Sequence, residues 1–351
     1  MSPHRAVLIV SLLALVLPAA AQQPAPTPPA PAANPGEAIL DRAVSNLRSL
    51  GWVETDFKQQ MSTQGVRFEA SGRYLIPPDG EWKVLYQLDL RLGDVRTVHK
   101  IVSDGGTVWR IVRVQDLTTQ ETVQNEVVRY PVDGLRTALD EVKRSDLGDQ
   151  KTEQIWRDVV GEHGFSGLQP LLRDLRDRLT FTRVEPAELP GVGPVTLLEG
   201  EWNKATLDLI APDRKVDSAA GPSLREQWDK RQARYTYWPR KCRLFLGPVG
   251  GFWPWAAPLW PYRVEWLGPT KAGGADELLV ALEFSRPVPK TAAEAANELT
   301  VADEEKKLAK DYDPASFVKR RQERLAQAKR FEDELLKLKP FDPTPLVPPK
   351  P

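Results

Sequence analysis

The sequence predicts an α+β fold: one helix, an antiparallel meander, a helical stretch, a second meander, and a charged helical extension. Two observations carry this. Apolar residues recur every second position from residue 52 onward, and they shift to a 3.6-residue period near 135–179 and again after 290. No βαβ alternation and no repeat of 20–50 residues interrupts that order.

The first helix is marked by Asn34 as N-cap, Pro35 at its first position and Glu37 in its first turn. Ile39, Ala43, Leu47 and Leu50 share a face, and Gly51 ends it. In 66–76, Val66, Phe68, Ala70, Gly72, Tyr74 and Ile76 alternate with polar residues. In 81–92 Trp82, Val84, Tyr86, Leu88, Leu90 and Leu92 do the same, after a Pro77-Pro78-Asp79-Gly80 turn. The pattern predicts strands with one apolar and one wet face. Strands near 95–103 and 106–114 meet at Asp104-Gly105-Gly106, a tight hairpin signal, and a further strand covers 118–130. Helical stripes follow at Leu135, Leu139 and Val142, at Ile155, Trp156, Val159 and Val160, and at Leu168, Leu171, Leu172, Leu175 and Leu179. Strand patterns resume at 180–185, 194–200, 204–210, 234–238, 242–246, 260–267 and 277–285. Beyond Pro289, Thr291 with Glu294 forms a capping box and Asp313-Pro314 restarts a helix. Val318, Leu325, Ala328, Phe331, Leu335 and Leu338 make a narrow stripe that needs a partner, either this chain's body or another protein.

The ends have a different character. Residues 1–21 read as a secretory signal peptide: Arg5, an apolar run from Ala6 to Leu17, and a small-residue cleavage site at Ala19-Ala20-Ala21. That run is too short for a membrane span, which needs about 20 residues. No Cys follows the site to carry a lipid, so the expected location is periplasmic or otherwise exported. Six prolines in 22–35 make an extended linker, and six more in 340–351 make a similar tail. The expected division is therefore a leader (1–21), a linker (22–35), a domain (36–289), a charged helical extension (290–339) and the tail (340–351).

Composition narrows the function. With 48 Lys+Arg against 48 Asp+Glu there is no net basic field for nucleic acid. One Cys excludes an intrachain disulfide, and three His, one in the leader, leave His99 and His163. No residues stand at metal-ligand spacing and no G-x-S-x-G elbow occurs, so neither a metal, a cofactor nor an enzymatic reaction is expected. Cys242, within a strand, reads as a small buried hydrophobe.

The order of four segments resembles the periplasmic lipoprotein-carrier family, LolA-like: Phe57 to Gln60, ASGRYLIPPDGEWKVLY at 70–86, SDGGTVW at 103–109, and ALEFSRPVP at 281–289. The resemblance covers roughly 36–289. It implies an incomplete antiparallel β-barrel, a half-barrel with helices packed in its mouth as a lid, whose concave apolar face holds acyl chains. The family's Arg-Pro pair stands here as Ile76-Pro77. On this reading the chain is a non-catalytic carrier of a lipid or other hydrophobic ligand, lined by Phe68, Tyr74, Trp82, Val84, Tyr86 and Trp109. The alternative is an envelope interaction module whose core is filled by its own side chains.

The segment 235–266 holds ten aromatics in 32 residues. Within it, a Gly/Pro loop bears Phe252, Trp253, Trp255 and Trp260. Trp suits a ligand entrance or membrane contact because its body is apolar and its N–H can stay wet; the plainer reading is that the loop folds over the open barrel end as core. Lys319, Arg320, Arg321, Arg324, Lys329 and Arg330 give the C-terminal helices a basic face that reads first as a solvated helix surface and also suits an envelope protein or anionic membrane surface.

Overall fold

The computed structural model describes residues 35–63, 66–78, 82–143, 167–210, 226, 238–249, 258–269 and 274–337. The leader, most of the linker, the 155–160 stripe, the 234–237 part of a predicted strand and the tail lie outside them. Helix α1 (Pro35–Ser49) opens the described chain. Six strands follow: β1 (Val53–Thr63), β2 (Val66–Ile76), β3 (Lys83–Leu92), β4 (Val95–Asp104), β5 (Thr107–Asp116) and β6 (Thr122–Pro131). Then come α2 (Val132–Lys143), α3 (Leu168–Arg178), β7 (Leu179–Leu189), β8 (Gly193–Trp202), α4 (Lys204–Ile210), β9 (Lys241–Pro248), β10 (Pro258–Pro269) and β11 (Asp276–Phe284). The chain closes with β12 (Val288–Pro289), α5 (Ala292–Glu298), α6 (Asp303–Leu308), β13 (Lys310–Asp311) and α7 (Pro314–Lys337).

The strands form one open, 13-stranded sheet in the order β13-β6-β5-β4-β3-β2-β1-β11-β10-β9-β8-β7, with β12 beside β1. Every pairing is antiparallel except β13 on β6. The two meanders meet where β1 pairs β11, Phe57 opposite Phe284, so the chain's early and late strands are stitched at the middle of the sheet. This is an α+β fold with an unclosed sheet.

Two elements depart from the sequence expectation. Residues 204–210 form helix α4 rather than a strand, because Asn203 caps it: its Oδ1 accepts the Thr206 N–H at 2.8 Å and its carbonyl accepts the Leu207 N–H. A local cap that satisfies the orphan donors outweighs a short alternating pattern. The second departure concerns the sheet's faces. One face carries a core running from α1 through Val84, Leu88, Ile101 and Tyr130 to Leu198, Leu244 and Val264. The opposite face is wet over much of its length but bears a second core of Trp52, Leu75, Leu85, Val102, Ile111 and Val127. Ala295 and Leu299, in and just after α5, cover it together with Val301.

The capping box at Thr291 and Glu294 forms as the sequence predicts, and Asp313 accepts the N–H groups of Ala315 and Ser316 at the start of α7. The 290–337 segment lies against the sheet on more than one side. Val318 of α7 is buried in the larger core and α7 packs on α2. At the sheet edge Arg129 pairs with Asp311 at 2.7 Å.

Candidate functional site

Strand register builds the site on the face bearing the larger core, called the inner face below. Alternation puts Phe68, Ala70, Gly72, Tyr74 and Ile76 of β2 on one side, and pairing sets Tyr74 opposite Tyr86 and Gly72 opposite Leu88. Gly72 sits directly beneath the Phe57 ring, where any Cβ would collide with it. That lets Phe57 stack on Tyr86 with ring centroids 5.5 Å apart. Tyr74 meets Tyr86 edge-on at 6.3 Å, and Tyr86 meets the His99 ring at 6.3 Å. The result is an aromatic ladder crossing β1 to β4.

Helix α2 roofs one end of this face through Leu135, Ala138 and Leu139, and Arg136 lies over the Trp82 ring at 5.4 Å. Helices α1 and α3 pack on each other and on β7, and α1 also reaches β10. Near the middle of the sheet Gln59, Met61, Phe68, Ala70, Leu88 and Leu90 line a hollow. It is a half-open hollow of about 10 Å³, room for about one water. Ligand pockets for drug-sized molecules run about 300–1,000 Å³, so the hollow among the described residues is far smaller than such a pocket.

Burial sets the chemistry of this face. It pushes the Tyr86 hydroxyl up to about 12 and those of Tyr74 and Tyr130 higher still, so all three stay protonated. It pulls His99 down to about 4, with the neighbouring Arg110 charge adding to the effect, so this imidazole is neutral at physiological pH. Arg110 is a cation of the inner face: register places it between Ile101 and Val128, both buried. Its guanidinium lies 3.7 Å from Glu126, and its Nε is buried without a hydrogen-bond partner.

Of the predicted lining residues, Tyr74, Trp82, Val84 and Tyr86 come together in or against the larger core, and Phe68 borders the hollow. Trp109 does not join them. It pairs with Val102 and packs with the second core on the other face, where Arg129 lies over its ring at 5.8 Å. In the Val108-Trp109 pair it is Val108 that faces the inner core. Trp260, expected at an entrance, is buried in the larger core. A bulge between Pro258 and Trp260, with Leu259 at φ 106°, swings its ring into the core, 2 % exposed, and its Nε1 donates to the Ser285 carbonyl at 3.0 Å. Phe252, Trp253 and Trp255 fall outside the described residues, as does His163. Cys242 is buried and burial raises its thiol pKa, the environment of an inert cysteine. Sequence reasoning had put Leu88 and Leu90 on this face but had not singled out the hollow, nor Gln59, Arg110 and Glu126. Among the described residues no cluster of three or more His, Cys, Asp or Glu could hold a metal ion, and no helix is long and apolar enough to cross a membrane.

No family model matches the chain, and no curated protein sequence does. Among solved structures it is similar to LprF from Mycobacterium bovis, at 13% identity and a TM-score of 0.34, over 73% of this chain and 95% of that one. It is also similar to MucB, at 12% identity and a TM-score of 0.33, over 78% of this chain and 66% of the other. A putative outer membrane lipoprotein-sorting protein domain from Vibrio parahaemolyticus is similar at 10% identity and a TM-score of 0.22, over 77% of this chain and 97% of that one. At such identities and TM-scores these likenesses carry no argument, and the functional reading rests on the chain's own residues.

Proposed function

We propose that this chain is an exported, non-catalytic binding protein that takes a lipid or other apolar ligand onto the inner face of its sheet. The sheet is bent as an incomplete barrel, and the helices over its inner face act as the lid. The observation that carries this reading is the aromatic and aliphatic surface running from Phe57 and Phe68 through Tyr74, Tyr86, Leu88 and Leu90 beside a hollow. Burial is worth about 0.8 kcal/mol per methylene, so a chain of roughly 14 carbons gains on the order of 10 kcal/mol before ordering costs. No reacting group is needed for such binding. Because 10 Å³ admits no acyl chain, ligand and lid compete for the same surface, and uptake is a shift from closed to open populations.

The same small volume favours a second reading, an envelope interaction module whose core is filled by its own helices. One experiment separates the two. Native mass spectrometry of the purified protein, with organic extraction and lipid analysis, should return one acyl ligand per chain, and fluorescent fatty acids should bind saturably. Empty protein that ignores those probes would leave only the self-filled module.

A further inference from the structure

The inner face is largely apolar, with buried Thr55, Gln59, Thr97 and Ser103 among its polar members, and on β5 and β6 it also carries charge. On the strands bordering the roofed region, register sets Leu88 opposite His99, His99 opposite Val112, and Val112 opposite Glu126. One pleat away stands Arg110, opposite Ile101 on one side and Val128 on the other. These polar side chains thus share one face with residues of the larger core, on strands adjoining the hollow that Leu88 helps line. Adjacent strands lie about 4.8 Å apart, so Arg110 on β5 stands about 10 Å from Tyr86, directly across on β3, and one pleat further from Leu88.

Arg110 is not fully used by the fold. Its Nε is buried and makes no hydrogen bond. Its contact to Glu126, 3.7 Å at Nη2, is longer than a hydrogen bond, and Glu126 is itself held by Gln124 Nε2 at 3.4 Å. A buried donor left unpaired is uncommon in native proteins and calls for a physical reason. The Arg110 side chain as a whole is 36 % exposed, so part of it can be reached although Nε is covered. A planar fork with an unspent donor is suited to a carboxylate or phosphate, which it can grip through two parallel hydrogen bonds. His99 beside it adds a ring N–H without adding a competing charge.

We infer that Arg110, with His99, is the head-group site for an anionic amphiphile: a single acyl chain ending in a carboxylate or phosphate monoester. The chain lies along the Phe68–Leu88–Leu90 surface, and the anionic end reaches Arg110 and displaces the weak Glu126 contact. This inference rests on the carrier reading above and names its ligand class.

The test uses the full mature chain and four probes: palmitate, methyl palmitate, dodecyl phosphate and inorganic phosphate, each competed against a fluorescent fatty acid. Wild-type protein should prefer palmitate over its methyl ester by about tenfold to a hundredfold, the value of charge-assisted hydrogen bonds. Arg110→Met should abolish that preference by bringing palmitate down to the level of its ester, and Arg110→Lys, which keeps the charge but loses the fork, should fall between. Equal binding of acid and ester by the wild type overturns the head-group site yet leaves the carrier reading standing, and needs no variant to be folded. Displacement by inorganic phosphate as effective as by dodecyl phosphate also overturns it, since the site would then serve a free anion. Failure of all three chain-bearing probes overturns both readings together.

Discussion

Ser103 shows how a short motif acquires a physical meaning. In SDGGTVW the Ser103 hydroxyl, fully buried, donates to the Trp82 carbonyl at 2.6 Å and accepts from the Gly105 N–H. Asp104 Oδ1 accepts from Gly106 and Thr107, both at 2.8 Å, and Gly105 takes the left-handed φ of 95° that an unbranched backbone permits. The motif therefore locks the β4–β5 turn and fixes the approach of Trp82, which carries the α2 roof residue Arg136. Replacing Ser103 by Ala should cost about 1 kcal/mol, because the hydrogen bond from the buried hydroxyl to the Trp82 carbonyl is lost. Urea denaturation checks this; a change within about 0.5 kcal/mol, the size of a neutral surface substitution, would contradict it. At this scale the sequence was informative wherever side-chain chemistry is local. It could not decide the face of Trp109, because Val108 and Trp109 are both apolar and alternation alone does not say which of two such neighbours points inward.

Helix α5 illustrates how elements are fastened. Glu54 of β1 and Glu298 of α5 each pair with Arg73 of β2 and with Lys290, a closed ring of four charges spanning strand, helix and connection. The Arg73 guanidinium, with a smaller contribution from Lys290, holds the Glu54 carboxyl below its ordinary range despite partial burial. A carboxylate depressed in the folded state stabilises above its unfolded pKa, about 4.3, and loses that contribution as pH falls through the folded value. Acidification from neutrality to about pH 3 should therefore loosen residues 290–300 before the strands, and Glu54→Gln should reproduce the loosening at neutral pH. Hydrogen exchange resolved by peptide reads both. Protection of 290–300 that stays equal to that of β3 throughout the titration would show that the charge ring does not hold the helix. The ring was invisible beforehand because its members are up to 244 positions apart in sequence, whereas the capping box at the same helix, confined to four consecutive residues, was legible. The same contrast explains 204–210, where alternation was read correctly as a pattern but Asn203 had the stronger local claim.

For the molecule as a whole, the order of helices and meanders was legible because hydrophobic period reports element type directly, and an open antiparallel sheet follows from that order. What period does not report is which residues 200 positions away cover an exposed face. The alternating strands suggested one wet face, yet Leu75, Leu85 and Val102 require a cover there, and Ala295, Leu299 and Val301 supply it. The 290–337 segment is thus a structural component of the sheet: it caps the outer core, pairs with the β6 edge through β13, and inserts Val318 beneath α2. Burying a Val or Leu side chain contributes about 1.5–3 kcal/mol each, so losing Leu299, Val301 and Val318 removes a large part of a typical net stability of about 5–15 kcal/mol. A chain truncated at Pro289 should melt well below the full protein, by about 10 °C or more, and should bind a hydrophobic dye at the newly bared Leu75–Leu85–Val102 surface. Truncated protein that keeps the full chain's melting temperature and stays dark with the dye would mean that this segment is only laid on the sheet, and its basic residues would then have to be explained by a partner outside the chain.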